Sequence, residues 1–421
     1  MPLGTGVWVQ ADGGIDIVLI SQRSQVLWPQ LFTGLGISLD KKKLIVVKSA
    51  QHFHTGFAPM AKAVFYVASP GAVQTDFARL PYCVRDVNYW PRVADPHAAA
   101  ASTPSPATAS RRLKPGQPIP APGELHEIDG LRLHLRRSGP RPTNDRQPTI
   151  VIESGAGTVS PVYARLQQAL ARKYSVCSYD RPGLGWSQPD TEPLDGERNA
   201  RRLHALLAAA GVRGPIVFIG HSLGGLLMRV YTSLYPEQVI GLLMLDASHP
   251  DQFEKTADMN ATTLAPAIAA ERAKRAKLRD AGDDAPPPPE LAMVEALFAD
   301  MPEVVAQMVA TYTPEAVDAM LLEMSGTAVL ARQAAAVRDL GHRPLAVLWA
   351  PQSALPTGDT TLDAVRALWP EYQRSSAALS TRGRVREVPG ADHMGIAMLP
   401  PFVAIVAEEI DEIMAQLAAA R

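Results

Sequence analysis

Residues 217–231, VFIGHSLGGLLMRVY, set Ser222 two positions after Gly220 and two before Gly224, between an apolar run and a helix-like one. A serine hydroxyl becomes a nucleophile when it stands clear of its backbone, beside a base and next to hydrogen-bond donors. A tight strand-to-helix turn provides this, and its crowding demands residues almost without side chains two before and two after the serine. Gly220 and Gly224 meet that demand. The flanks agree, since PIVFI is strand-like and LGGLLMRVYTSLYP reads as a helix whose N-terminal dipole favours developing negative charge. Ser222 is therefore the expected nucleophile. His52 and His54 form a second chemistry-bearing pair, an H-x-H that would point to one side of a strand. Two ligands do not make a metal site; no nearby Cys or Glu completes a set and Asp76 alone is a poor third, so the pair reads as packing or surface histidines.

At 421 residues the chain is long enough for two domains, each with its own core. Apolar content of 47%, charged content of 20% and a net charge of -1 describe a soluble globular chain, with no basic excess for nucleic acid or acidic lipid. Cys83 and Cys177 lie far apart without a C-x-x-C or Cys/His cluster, which suggests neither a disulfide framework nor a zinc knuckle and fits a reducing compartment. The N-terminus lacks the basic and then apolar regions of a signal peptide, and no run reaches the ~18 apolar residues a membrane span needs. A cytoplasmic protein without a membrane span is expected.

The elements that must position Ser222 begin after a break. Residues 94–120 are dominated by Ala, Pro, Ser and Thr without a helix or strand period, the composition of a semi-extended linker. Before it, VWVQ, IDIVLIS, KKKLIVVKSA and AVFYVASPG are short β-branched runs that read as strands of a small α/β or mostly β domain over residues 1–93. After it, ELHEIDGLRLHLRRSG alternates on both sides of Asp129-Gly130, a dipeptide suited to a tight hairpin turn. PTIVIES, KYSVCSYD, PIVFIG, VIGLLMLDAS, RPLAVLWA and RVREVPG follow as strands. Helices alternate with them, one entered at Ser160-Pro161, one closed by Gly211, and one with Phe402, Val406, Ile410, Ile413 and Leu417 on a stripe. Strand alternating with helix implies a mostly parallel sheet covered on both faces. Residues 249–341 are mostly helix-forming and imply a helical cap inserted in the sheet topology.

The motifs IESGAG, YDRPGLGWS, GHSLGG and GADHMG, in that order, make residues 121–421 resemble the α/β-hydrolase superfamily, and most nearly its lid-bearing serine esterases. The resemblance implies a histidine base in the loop after the last strand, which is His393. It implies an oxyanion hole made by the N–H of Leu223 and that of Ala156. Ser154 departs from the pattern, standing where many relatives have a histidine. The acid, which holds the imidazole in one tautomer, usually follows the seventh strand, but Ser353 occupies that place. Asp246 matches the alternative position after the sixth strand and ranks first, ahead of Asp359 and then Asp363. Asp392 reads as a loop residue supporting His393, His221 as packing beside the elbow, and Asp180 and Arg181 as structural.

Residues 1–93 resemble the C-terminal domain of the microcystinase C-like metallopeptidases, through FTGLGISLDKKKLIVVKSAQHFHTGFAPMAKAVFYVASPGAVQTDFARLPY. In that family the metal-binding and catalytic residues lie mainly in a larger N-terminal domain that this match does not include. The segment therefore reads as a fused remnant that mediates association, which would make the protein a homo-oligomer, and no cofactor is expected. The expected activity is ester hydrolysis through an acyl-enzyme on Ser222, with small-molecule substrates of hydrophobic character suggested by the Met-rich cap. Epoxide hydrolases and haloalkane dehalogenases of the superfamily use an aspartate where Ser222 stands. Amide, lactone, thioester or carbon–carbon bond hydrolysis uses the same machinery; a ligand-binding homologue and a metallopeptidase acting through the front domain are the readings of other classes.

Overall fold

The computed structural model describes residues 4–21, 28–40, 42–47, 56–64, 113–253, 265–280 and 288–419. The chain divides into two compact units, Met1–Ala107 and Thr108–Arg421.

In the first unit, strands β1 (Gly6–Ala11) and β2 (Ile15–Ile20) pair antiparallel from Gly6↔Ile20 to Ala11↔Ile15. Gly13 and Gly14 turn between them at φ of 83° and 78°, a conformation that glycine adopts without a steric penalty. Ile37, Leu39 and Phe57 are buried, and Phe57 meets Phe32 edge-on at 6.2 Å. Residues 42–47, expected in a strand, have no ladder partner among the described residues, and Leu44 and Val46 are exposed. A β-branched run supplies propensity, but a strand also needs a neighbour to pack and pair with. His52, His54, Asp76, Cys83 and most of the expected strand AVFYVASPG lie outside the described residues.

The second unit has the α/β-hydrolase fold. Its strands are β3 (Glu124–Ile128), β4 (Leu131–Ser138), β5 (Thr149–Glu153), β6 (Ser175–Tyr179), β7 (Ile216–His221), β8 (Val239–Leu245), β9 (Leu345–Trp349) and β10 (Gly383–Glu387). They stand in the order β10-β9-β8-β7-β5-β6-β4-β3, parallel from β10 to β6 and antiparallel at β4 and β3. Asp129 and Gly130 form the β3–β4 turn with φ of 50° and 76°, as their residue types require. The central strands read as unbroken apolar runs because both faces are covered. Alternate residues serve alternate faces. Val151, Phe218, Leu242 and Val347 pack with Leu203, Leu206 and Leu207 of the helix Gly196–Ala209. Ile150, Val217, Leu243 and Ala346 pack with Leu166 and Leu170 and with Val403, Val406, Ile410 and Ile413 of the helix Pro400–Ala419.

Between β8 and β9 lies a helical insertion, with helices Ala265–Asp280, Pro289–Leu297, Pro302–Ala310 and Pro314–Ala336. The last three begin with proline, whose fixed φ and missing N–H cost nothing in a first turn. Residues 113–120, within the composition-defined linker, run along this unit: Gly116 N–H donates to the Val309 carbonyl at 2.9 Å and Trp186 Nε1–H to that of Ile119 at 3.1 Å.

Candidate active site

Ser222 follows directly on β7 in left-handed backbone, φ 54°, and the helix Gly224–Leu234 starts two residues later. For a residue with a side chain that conformation is strained and persists only when its surroundings over-determine it. Here they do: Ser222 N–H donates to the Leu245 carbonyl at 3.1 Å, and its own carbonyl accepts from Gly225 at 3.0 Å and Ser248 at 2.9 Å. The glycines follow from contact distances. A Cβ on Gly224 would lie 2.2 Å from the Glu153 carbonyl oxygen, and one on Gly220 would lie 2.7 Å from Met228 Sδ and 2.8 Å from the Gly224 carbonyl oxygen.

Asp246 stands one residue past Leu245, the last of β8, also in left-handed backbone at φ 42°. Its buried carboxylate accepts from Ala350 N–H at 3.0 Å and Trp369 Nε1–H at 2.7 Å on Oδ1, and from Ser353 Oγ–H at 2.5 Å and His393 Nδ1–H at 2.6 Å on Oδ2. Burial alone would push this carboxyl up, but the His393 hydrogen bond and charge, with the Ser353 and Ala350 donors, hold it below the usual range. It is thus an anion whose lone pairs are all used. The imidazole it orients is 38% exposed, and among the described residues its Nε2 has no protein partner. Asp359 lies apart, capping the helix Thr360–Ala367 by accepting from Thr361 and Leu362 N–H at 2.9 and 3.0 Å. Asp363 accepts from Thr357 and Gly358 in the same loop, and Asp392 from Met394 and Gly395, which shapes the turn after His393.

His221 does more than fill space. Its Nε2 lies 2.8 Å from the His393 carbonyl, which can only accept, so Nε2 carries the proton and Nδ1 takes the Tyr163 hydroxyl proton at 2.9 Å. Tyr163 in turn accepts from Gly155 N–H at 2.8 Å. Burial, reinforced by the neighbouring His393, pushes the His221 pKa down to about 3, which keeps the ring neutral and this donor order fixed. Tyr163 and Trp369 were not among the expected site residues; each reaches its partner across 58 and 123 residues of chain, beyond any local pattern.

The loop after β5 carries Ala156. Of the N–H groups from Gly155 to Thr158, Gly155 serves Tyr163, Gly157 serves Glu323 Oε2 at 2.7 Å and Thr158 serves the Gly155 carbonyl at 3.3 Å. Among the described residues the N–H groups of Ala156 and Leu223 have no acceptor. Arg181, 1% exposed, donates to the carbonyls of Ser154 and Gly155 at 2.7 and 2.6 Å, to Ser154 Oγ at 2.9 Å and to Glu153 at 3.1 Å, and it also pairs with Glu323. Burial pushes the Glu153 carboxyl up to about 7 against the opposing pull of Arg181 and Tyr179. Asp180, fully buried, accepts from Ser160 N–H at 2.6 Å and lies 2.7 Å from His134 Nδ1, bonds that fix the loop rather than face the serine.

A mostly parallel eight-stranded sheet with a serine at a strand-to-helix turn defines an α/β hydrolase. Residues 150–408 match the model of the alpha/beta hydrolase family, more than half of the chain, and the chain belongs to that family. Residues 1–83 match the model of the MlrC C-terminus. Among curated proteins, an AB hydrolase superfamily protein of Gibberella zeae is 31% identical over 121 residues, 28% of this chain and 38% of that protein. The uncharacterized protein YqjL of Bacillus subtilis is 28% identical over 129 residues, 30% of this chain and 49% of that protein. The chain thus spans less than half the length of these curated relatives. Among solved structures, an epoxide hydrolase mutant of Vigna radiata is 15% identical with a TM-score of 0.51, over 70% of this chain and 98% of that one. A probable hydrolytic enzyme of Pseudomonas aeruginosa is 17% identical with a TM-score of 0.50, over 70% and 96%. These likenesses are of fold. No helix among the described residues is long and apolar enough to cross a membrane.

Proposed function

We propose that the chain is a serine hydrolase that cleaves carboxylic esters of small to medium hydrophobic substrates through an acyl-enzyme on Ser222. His393 is the general base, Asp246 the acid of the triad, and the N–H groups of Leu223 and Ala156 the oxyanion hole. The observation that carries the reading is the 2.6 Å contact between Asp246 Oδ2 and His393 Nδ1, made by a buried anion that three further donors hold in place.

The reaction follows from that set. Ser222 Oγ attacks the ester carbonyl while His393 Nε2 takes its proton, and the oxyanion that forms is held by the two N–H groups. The C–O bond to the leaving alcohol breaks as His393 returns the proton to that oxygen. Water then attacks the acyl-serine, again giving its proton to His393, and the acid and Ser222 hydroxyl are released. The helical insertion is the cap that selects the acyl and alcohol groups. Residues 1–93 form a separate N-terminal domain, joined through residues 94–120, that mediates association between copies of the chain.

The test is a panel of nitrophenyl esters of rising chain length, with a fluorophosphonate probe in parallel. Wild type should hydrolyse the shorter esters and label at Ser222, and Ser222→Ala should do neither. Turnover of lactones or amides alone would keep the machinery and change the substrate class. Absence of labelling would support a ligand-binding homologue, and activity lost to chelators but kept by Ser222→Ala would support a peptidase of the N-terminal domain.

A further inference from the structure

Glu323 is a charged residue of the cap, yet it is only 5% exposed and its carboxylate reaches into the loop that carries Ala156. It sits in the helix Pro314–Ala336, and this helix is pressed against the hydrolase core at points where only glycine leaves room. A Cβ on Gly157 would lie 2.7 Å from Met320 Sδ, one on Gly183 2.6 Å from Ala319 Cβ, and one on Gly326 2.0 Å from the Leu194 carbonyl oxygen. At the centre of that contact Glu323 uses both oxygens: Oε1 on Arg181 Nε, and Oε2 on Arg181 Nη2 at 3.1 Å and on Gly157 N–H at 2.7 Å. Arg181 passes the restraint on, because its Nη1 and Nη2 hold the carbonyls of Ser154 and Gly155. The peptides on either side of Ala156 are therefore fixed, the one before it through Arg181 on the Gly155 carbonyl and the one after it through Glu323 on the Gly157 N–H, while Tyr163 holds the preceding Ser154–Gly155 peptide.

We propose that Glu323 is a positioning residue for the oxyanion hole: by accepting the Gly157 N–H and clamping Arg181 it sets the peptide plane that presents the Ala156 N–H, so that docking of the cap and assembly of the hole are one event. The proposal rests on the serine-hydrolase reading above. Buried charge-assisted contacts of this kind are strong because little water competes with them. A neutral amide cannot replace the carboxylate, since one of its two ends would turn N–H groups toward Arg181 or Gly157, which are themselves donors.

The experiment compares wild type, Glu323→Gln, Glu323→Asp and Glu315→Gln, the last an exposed cap residue paired with Arg279. Three quantities are read: kcat and KM on a short nitrophenyl ester, the rate of Ser222 labelling by a fluorophosphonate, which also passes through an oxyanion, and the thermal transition. Glu323→Gln should lower kcat and the labelling rate about 10- to 100-fold with KM within about threefold, less than or equal to the loss of one oxyanion donor. Glu323→Asp, which keeps the charge, should recover part of both rates, and Glu315→Gln should match wild type. An unchanged kcat, or a rise in KM alone, would overturn the positioning role and leave Glu323 a cap anchor. Should Glu323→Gln fail to fold, the same division of kcat from KM in Glu323→Asp decides. A wild type that neither turns over nor labels would instead overturn the serine-hydrolase reading itself.

Discussion

Ser222 and Asp246 leave adjacent parallel strands at the same level: His221 of β7 stands opposite Leu245 of β8, and the next residue of each strand turns into left-handed backbone, at φ of 54° and 42°. One ladder therefore sets the spacing of both side chains. Conformations of this kind cost about 1–3 kcal/mol each, and the burial and hydrogen bonds around both residues hold them there.

Removing the Asp246 charge isolates its role. Asp246→Asn should lower kcat on the order of 10³- to 10⁴-fold with KM little changed, because the imidazole loses its fixed tautomer. Asp359→Ala should leave kcat alone and cost about 1 kcal/mol, the value of a lost helix N-cap. Steady-state kinetics and urea unfolding separate the two; a catalytic loss confined to Asp359→Ala would reverse the assignment.

Ser353 stands 2.5 Å from Asp246 Oδ2, where most of the superfamily carries its acid. Adding Ser353→Asp to Asp246→Asn should therefore restore kcat by about tenfold or more over Asp246→Asn alone, a fraction of the usual contribution of acid–base catalysis. No recovery in a folded double variant would show that the imidazole is reached only from β8.

His221 gives a pH signature. Its folded pKa lies near 3, below the unfolded value of about 6.5, so unfolding takes up a proton in that interval and the stability it contributes above pH 6.5 is lost as pH falls. Unfolding free energies of wild type and His221→Gln should therefore converge by about 2 kcal/mol between pH 7 and pH 5. Glu153, raised to about 7 by burial, acts with the opposite sign between about 4.5 and 7, but equally in both proteins, and cancels from the comparison. A gap that stays constant would mean that His221 titrates alike in the folded and unfolded chains, and one that widens toward pH 5 that the folded ring holds its proton more tightly.

Two glycines should fail for different reasons. At Gly130 a Cβ meets nothing within 4 Å, so Gly130→Ala should cost only the strain of its φ of 76°, about 1–2 kcal/mol. At Gly224 the Glu153 carbonyl oxygen would be 2.2 Å away, and Gly224→Ala should cost about 3 kcal/mol or more and displace the elbow. Thermal melts and Ser222 labelling report both effects.

The elbow and the sheet could be read in the sequence because local chemistry dictates them. Gly220 and Gly224 answer to a steric demand that spacing alone reveals, and Asp129-Gly130 to a turn with positive φ. The order of buried runs supplied the parallel sheet. Choosing among Asp246, Asp359 and Asp363 was harder, since every loop aspartate can cap a helix and only tertiary placement decides which one meets an imidazole. The bonds of His221 were hidden for a related reason: a histidine that packs and one that bridges two loops look alike in a chain. Residues 42–47 misled because their β-branched pattern carries no information about a partner strand.

The loop after β9 contributes only a backbone N–H at Ala350 and a hydroxyl at Ser353 to the Asp246 carboxylate. Beyond Ser353 the chain bends through Leu355, 57% exposed, to the helix Thr360–Ala367, and Trp369, the first residue of the next helix Trp369–Ala377, returns to the same carboxylate. With Asp246 as the proposed acid, the stretch between holds none of the residues proposed to react, which makes it a place where length and composition could be engineered without moving them.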